Sequence, residues 1–243
     1  MKFNSPIIDE LYERKKVHDP SGKEYNLGGN VSKEEALRLF STIRTLEAKV
    51  TLETGLAYGA SAIAIMEGLK NNGGGTHHVI DPYQEAYHNI GTNMPKKLGL
   101  SEYFKFYHKF PEEVIPQLDA NIDFAFIDSS HVFDLTVMEF VLIDKKLKVG
   151  GVIGFHDLWM PALQKFLSHV LNNRKYKLYP PKIELPPQSW KHWLSFLIKK
   201  LPYSNKLFAQ EILHPFSQTG LPNLVMIQKL EDDKRHWQYY KTF

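Results

Sequence analysis

Two short stretches, FIDSSH at Phe126–His131 and FHD at Phe155–Asp157, put two carboxylates and two imidazoles just after apolar runs. Carboxylates beside an imidazole or a water suit a hard divalent cation such as Mg²⁺. Imidazole in the set shifts the preference toward softer ions such as Mn²⁺, Fe²⁺ or Zn²⁺. The metal set read from these residues is Asp128, His156 and Asp157. An imidazole with an ordinary pKa near about 6.5 also suits proton transfer at neutral pH. His131 is therefore the candidate base, with Asp128 and Asp157 completing the catalytic set. A lone histidine after a strand is otherwise a polar loop residue, and that reading stands beside the catalytic one.

A second constellation lies in TLETGLAYGASAIAIMEGL, Thr51–Leu69, where Glu53, Gly55 and Gly59 precede a run of small helical residues. Glycine lets a backbone approach a ligand without a Cβ in the way, and a helix N-terminus beside the turn adds free N–H groups. Many phosphate sites are built so. The dinucleotide fingerprint G-x-G-x-x-G is absent, because Ala57 stands where its second glycine belongs, and no Gly-Lys-Ser/Thr of a P-loop follows. Glu53 suits a cationic or hydroxyl-bearing ligand better than a bare phosphate. A plain strand-to-helix turn is the alternative.

These residues need elements to position them, and the chain alternates accordingly. Strands are read at VTLE, HHVID (His77–Asp81), YFKFYH (Tyr103–His108), IDFAFID (Ile122–Asp128) and VGGVIGFHD (Val149–Asp157), with helices at Ala60–Leu69, Tyr87–Leu98, Pro111–Leu118, Leu135–Leu147 and Pro161–Asn172. The near-continuous apolar run of IDFAFID fits a strand buried on both faces. The alternation predicts an α/β fold, a Rossmann-like doubly wound sheet with helices on both faces. NLVMIQKL, Asn223–Leu230, reads as a returning, antiparallel last strand. In such sheets ligands bind outside the carboxyl ends of the strands, where Glu53, Asp81, Asp128, His156 and Asp157 all fall. Ser32 with Glu35 reads as a capping box opening a helix, whereas residues 1–30 read as irregular. Asp134 and Asp144 read as solvated helix residues, and of the adjacent His77 and His78 one is expected to face solvent.

The chain has 243 residues, is 43% hydrophobic and 23% charged, carries a formal net charge of +3 and has no cysteine. That composition supports one substantial core over residues 1–243. It excludes disulfides and thiol chemistry, and the small charge gives no nucleic-acid footprint. No apolar run approaches the roughly 20 residues of a membrane span, and the N-terminus lacks a signal-peptide core. The expectation is a soluble, cytoplasmic homodimer with a small-molecule substrate, no nucleic acid and no integral membrane segment.

The motif Glu53-Thr54-Gly55-Leu56-Ala57-Tyr58-Gly59 resembles the first motif of the class I S-adenosylmethionine (SAM)-dependent methyltransferases, acid-x-Gly-x-Gly-x-Gly, whose middle glycine is often another small residue. FAFIDSSHVFD followed by VGGVIGFHD resembles the fourth and fifth strands of the small-molecule O-methyltransferases that include macrocin-type sugar enzymes. The resemblance covers about Leu27 to Leu171. Ser129 replaces a common glycine, and His156 stands where a second carboxylate is frequent. The resemblance implies a SAM-dependent O-methyltransferase acting on a sugar or polyketide-like hydroxyl. Its cofactor site comprises Glu53, Thr54, Gly55, Ala57, Tyr58, Gly59 and Ser61 around the methionine end, then Asp81, Pro82 and Tyr83, and Asp128, Ser129 and His131. Asp81 would take the ribose, since a carboxylate can accept two hydrogen bonds from a cis-diol. Lys105–Phe110 would lie near adenine, and His131 either serves as base or contacts adenine or ribose. The resemblance also implies a divalent metal, Mg²⁺ or a softer ion, that chelates the acceptor and lowers its hydroxyl pKa. Two alternatives stay open: a nicotinamide-dependent oxidoreductase and a SAM-fold binding module without turnover.

Residues 184–222 read as an insertion. SWKHWLSFLIKKL, Ser189–Leu201, would be a basic amphipathic helix, serving as a lid, a dimer surface or a membrane-surface contact.

Overall fold

A computed structural model describes residues 5–119, 121–180 and 223–242. The elements run α1 Pro6–Arg14, β1 Lys16–His18, β2 Glu24–Asn26, α2 Lys33–Thr45, β3 Val50–Thr54, α3 Ala60–Asn71, β4 Thr76–Ile80, α4 Ile90–Lys97, β5 Phe104–Tyr107, α5 Pro111–Val114, β6 Ile122–Ile127, α6 Phe133–Asp144, β7 Leu147–Phe155, α7 Pro161–Asn173, β8 Tyr176–Tyr179 and β9 Val225–Lys229. Seven strands form one sheet in the order β5-β4-β3-β6-β7-β9-β8. β3 to β7 pair in parallel, and β9 runs antiparallel between β7 and β8.

The two sheet faces are covered by different helices because strand side chains alternate. Phe124 and Phe126 of β6 enter the layer with α2 and α3, while Ala125 and Ile127 enter the layer with α6 and α7. α3 is built from small residues so that it can lie close to α2. A Cβ on Gly68 would come within 2.7 Å of the Ile43 side chain. Connections from β3 run one way to β4 and β5 and the other way to β6 and β7. The crevice outside the carboxyl ends of β3 and β6 is therefore the switch point where doubly wound sheets take ligands.

Three sequence readings change, and one strand is added. Residues 5–26 are not irregular. Ser5 caps α1, which has a proline in its first turn, and β1 and β2 form a hairpin. Its turn is held by Asp19, whose Oδ1 accepts from the Ser21 and Lys23 amides at 2.8 and 3.0 Å. His77 and His78 are both buried, because β4 is an inner strand covered on both faces. Asp144 is buried rather than solvated. It accepts from Tyr176 Oη at 2.7 Å and pairs with Arg174 and Lys229. β8, too short for its sequence pattern to announce it, forms the sheet edge. The capping box at Ser32 and Glu35 is present as read, and Asp134 is exposed. The insertion read at 184–222 lies outside the described residues. No helix among the described residues is long and apolar enough to cross a membrane.

Candidate active site

The loop from Gly55 to Gly59 leaves β3 and enters α3. Gly55 has φ +85°, and a Cβ there would stand 2.1 Å from the Asp128 carbonyl oxygen. The glycine is thus required by the contact of two strand ends as well as by any ligand. Gly59, also at φ +85°, caps α3 and faces the Gly91 Cα. Asp81 closes the turn: its Oδ2 accepts from the Leu56 amide at 2.9 Å, the Ala57 amide at 3.3 Å and Gln84 Nε2 at 2.8 Å, and its Oδ1 accepts from the Tyr83 amide at 2.7 Å.

Glu53 points beneath α3, fully buried, where it accepts from Ser61 Oγ and lies 2.9 Å from His77 Nε2. Burial raises the Glu53 carboxyl well above its usual range, with the charges of Asp128 and Asp81 adding to it. Burial also pushes His77 down to about 3. Thr54 turns to the other face and donates to Glu139 Oε2 at 2.6 Å. Glu53 and Thr54 therefore sit behind the site. Gly55, Ala57, Tyr58, Gly59, Ser61, Asp81, Pro82, Tyr83, Asp128, Ser129 and His131 line a cavity of about 650 Å³ outside the strand ends. Of Lys105–Phe110, Phe110 lines it, edge-to-face with Tyr83 at 6.0 Å.

The same cavity reaches His156 and Asp157. His131 Nε2 lies 2.6 Å from Asp157 Oδ2 and 3.5 Å from Asp128 Oδ1. His156 Nδ1 lies 3.3 Å from Asp128 Oδ1 and 3.6 Å from Asp157 Oδ1. His131 at φ +58° and Asp157 at φ +56° adopt left-handed backbone, uncommon for non-glycine residues and concentrated at functional sites. Asp157 also accepts from Trp159 Nε1 at 2.9 Å and Asn223 Nδ2 at 3.2 Å.

Burial opposes charge on His156. Hydrogen bonds to Asp128 and Glu35 and the charges of Asp128 and Asp157 outweigh it and push the imidazole up to about 10. Burial likewise raises Asp157, but Asn223, His131, the His156 charge and Trp159 bring it below the usual carboxylate range.

Sequence reasoning missed four contributors. Glu35, read only as a capping acid, also places Oε2 3.5 Å from His156 Nε2. Asn223, at the foot of the returning strand, holds Asp157. Trp159 and Glu139 carried no motif, and the proximity of Trp159 to Asp157 was the one available signal. Asp128, His131 and Asp157 each offer a donor atom within 4.8 Å of the others. Two carboxylates and an imidazole at that spacing fit a divalent cation of borderline softness. His156, with its protonated form favoured, joins such a set only by losing its proton.

Residues 52–158 match a family described as "Methyltransferase domain". The chain is 26% identical over 175 residues to a flavonoid 3',5'-methyltransferase of Vitis vinifera, covering 64% of this chain and 72% of the relative. It is 30% identical over 145 residues to a tapetum-specific methyltransferase of Arabidopsis thaliana, covering 56% and 60%. The fold is shared with an S-adenosylhomocysteine (SAH)-bound methyltransferase of Podospora anserina, at TM-score 0.62 and 15% identity over 94% of this chain and 89% of that one. An O-methyltransferase of Bacillus cereus in complex with SAH shares it at TM-score 0.58 and 16% identity, over 72% and 83%. Residues 52–158 thus resemble a methyltransferase domain, and the site they build combines a glycine turn at β3 with an acid–histidine cluster at β6 and β7.

Proposed function

We propose that this enzyme transfers a methyl group from SAM to a hydroxyl oxygen of a small molecule, of the sugar or polyketide-like class that the macrocin-type resemblance implies. One observation carries the reading: a single cavity is lined at one end by Gly55–Ser61 and Asp81, and at the other by Asp128, His131 and Asp157. When bound, the sulfonium cofactor supplies an electrophilic methyl group. The backbone of Gly55–Gly59 holds its methionine end. Asp81 Oδ1, which accepts one hydrogen bond from the chain, takes a ribose hydroxyl with its remaining lone pair. Tyr83 and Phe110 flank the adenine.

At the acceptor end, His131 donates its Nε2 proton to Asp157, which fixes the ring and stabilises the imidazolium. Its Nδ1 takes the proton from the acceptor hydroxyl as the oxygen attacks. His156, cationic between Asp128 and Glu35, offsets the negative charge gathered there. A metal-assisted variant is favoured by the spacing of Asp128, His131 and Asp157. In it these three would hold a divalent ion, which would supply Lewis acidity toward the acceptor hydroxyl.

Calorimetric titration with SAH, in EDTA and again in excess Mn²⁺ or Mg²⁺, tests both. Binding that weakens strongly in Asp81→Asn supports the cofactor placement, and absence of binding under every condition defeats the proposal. Turnover of a hydroxylated acceptor that survives EDTA selects the metal-free base mechanism.

A further inference from the structure

Glu139 is a buried carboxylate that the mechanism above does not use. It sits on the inner face of α6, 2% exposed. Its Oε1 accepts from Ser129 Oγ and its Oε2 from Thr54 Oγ1, each at 2.6 Å. Burial pushes its carboxyl above the usual range against the pull of those two donors. The two hydroxyls belong to the two strand ends that meet at the cavity. Thr54 is the last residue of β3 before Gly55, and Ser129 directly follows Asp128. The backbones already touch there, since the Asp128 amide donates to the Thr54 carbonyl at 2.9 Å, and the Asp128 carbonyl leaves no room for a side chain on Gly55.

We propose that Glu139 is a positioning residue for this site. By gripping Ser129 and Thr54 together, it fixes the Asp128–His131 segment against the β3 turn, so that the Asp128 carboxylate and the His131 imidazole face the bound cofactor at one setting. The proposal rests on the methyl-transfer reading. The grip matters because the segment it holds ends in His131, whose left-handed backbone is kept by its surroundings rather than by its own preference. Glutamine at 139 offers one acceptor and one donor where two hydroxyl donors point. It cannot hold both hydroxyls as they stand, yet it fills the same volume.

The test compares Glu139→Gln, Ser129→Ala and the double variant. Kinetics with a methylatable acceptor should show kcat lower by about 10- to 100-fold in Glu139→Gln, the range that misplacement of a reacting group produces. The SAH dissociation constant should stay within about threefold, since the turn that holds the cofactor is closed separately by Asp81. Ser129→Ala should reproduce most of the loss, and the double variant should add little, because both remove one grip. Histidine-selective NMR gives a readout independent of turnover: the His131 ring signal, assigned by its disappearance in His131→Asn, should move in Glu139→Gln and in Ser129→Ala. Unchanged kcat and an unmoved His131 signal overturn the proposal. So does a kcat loss matched by an equal loss of SAH affinity and melting temperature, which marks Glu139 as ordinary scaffold. If Glu139→Gln does not fold, Ser129→Ala alone decides by the same two readouts. Failure of the wild type to bind SAH sinks the methyl-transfer reading instead, and the NMR comparison still judges Glu139.

Discussion

His156 holds its proton because Asp128, Glu35 and Asp157 surround it. Its pKa of about 10 in the folded protein stands above an unfolded value near about 6.5. The stabilisation it brings is complete below the unfolded value and is lost as pH rises through 10. A melting-temperature series from pH 6 to 10.5 should therefore fall more steeply in the wild type than in His156→Gln. His77 works at the other end. Burial holds it neutral down to about 3, whereas the unfolded chain protonates it near about 6.5, so stability drains as pH falls between those values. His78, held down to about 4 by burial and by Lys105 and His77, adds to the drain. Glu53 and Glu139 act in the opposite sense, so the clean observable is a difference: His77→Gln should flatten the melting curve between pH 6.5 and 4 relative to wild type. His131, the proposed base, is tested by kinetics rather than by melting. His131→Asn should lower kcat by about 10²- to 10⁴-fold, the usual contribution of a positioned proton acceptor, with SAH affinity retained. Loss of affinity in proportion would assign His131 to the cofactor instead.

The elements were legible where periodicity is strong and hidden where contacts are distant. Strand ends at Glu53, Asp81, Asp128 and Asp157 could be read because apolar runs end in acids there, and the α/β rule places such ends at one rim. The N-terminal hairpin escaped because three-residue strands carry no alternation and its turn depends on the Asp19 side chain. The second role of Glu35 escaped because His156 joins it only after the whole sheet has formed. Gly55 shows the same limit. Its type suggested ligand access, and only the packed strand ends reveal the Asp128 carbonyl against it. Gly55→Ala should cost about 2 kcal/mol or more in denaturant unfolding, combining backbone strain at positive φ with overpacking. A change under about 0.5 kcal/mol would mean that the β3 and β6 ends separate readily. Ser32→Ala, which removes the helix-capping hydroxyl, should cost about 1 kcal/mol and leave kcat nearly unchanged as long as Glu35 stays in reach of His156.

At the scale of the whole molecule, the sheet order brings four strand ends to one crevice, and everything proposed for function depends on the cofactor entering it. A ligand that binds only the folded protein stabilises it by mass action. At 100 times its dissociation constant the gain is about 2.7 kcal/mol, which for a chain of this size raises the melting temperature by about 5–10 °C. SAH should produce that shift here, and NADH should produce none. Tyr83 makes the assignment local. Its side chain is 62% exposed and touches Phe110 edge-to-face, so Tyr83→Ala should leave the ligand-free melting temperature within about 1–2 °C, as surface substitutions do. If Tyr83 and Phe110 flank the adenine, the same substitution should cut the SAH-induced shift at fixed SAH concentration. A full shift in Tyr83→Ala would move the adenine away from this rim while keeping SAM as the cofactor. A shift with NADH and none with SAH would transfer the cavity to a nicotinamide and dismantle the acceptor chemistry assigned to His131.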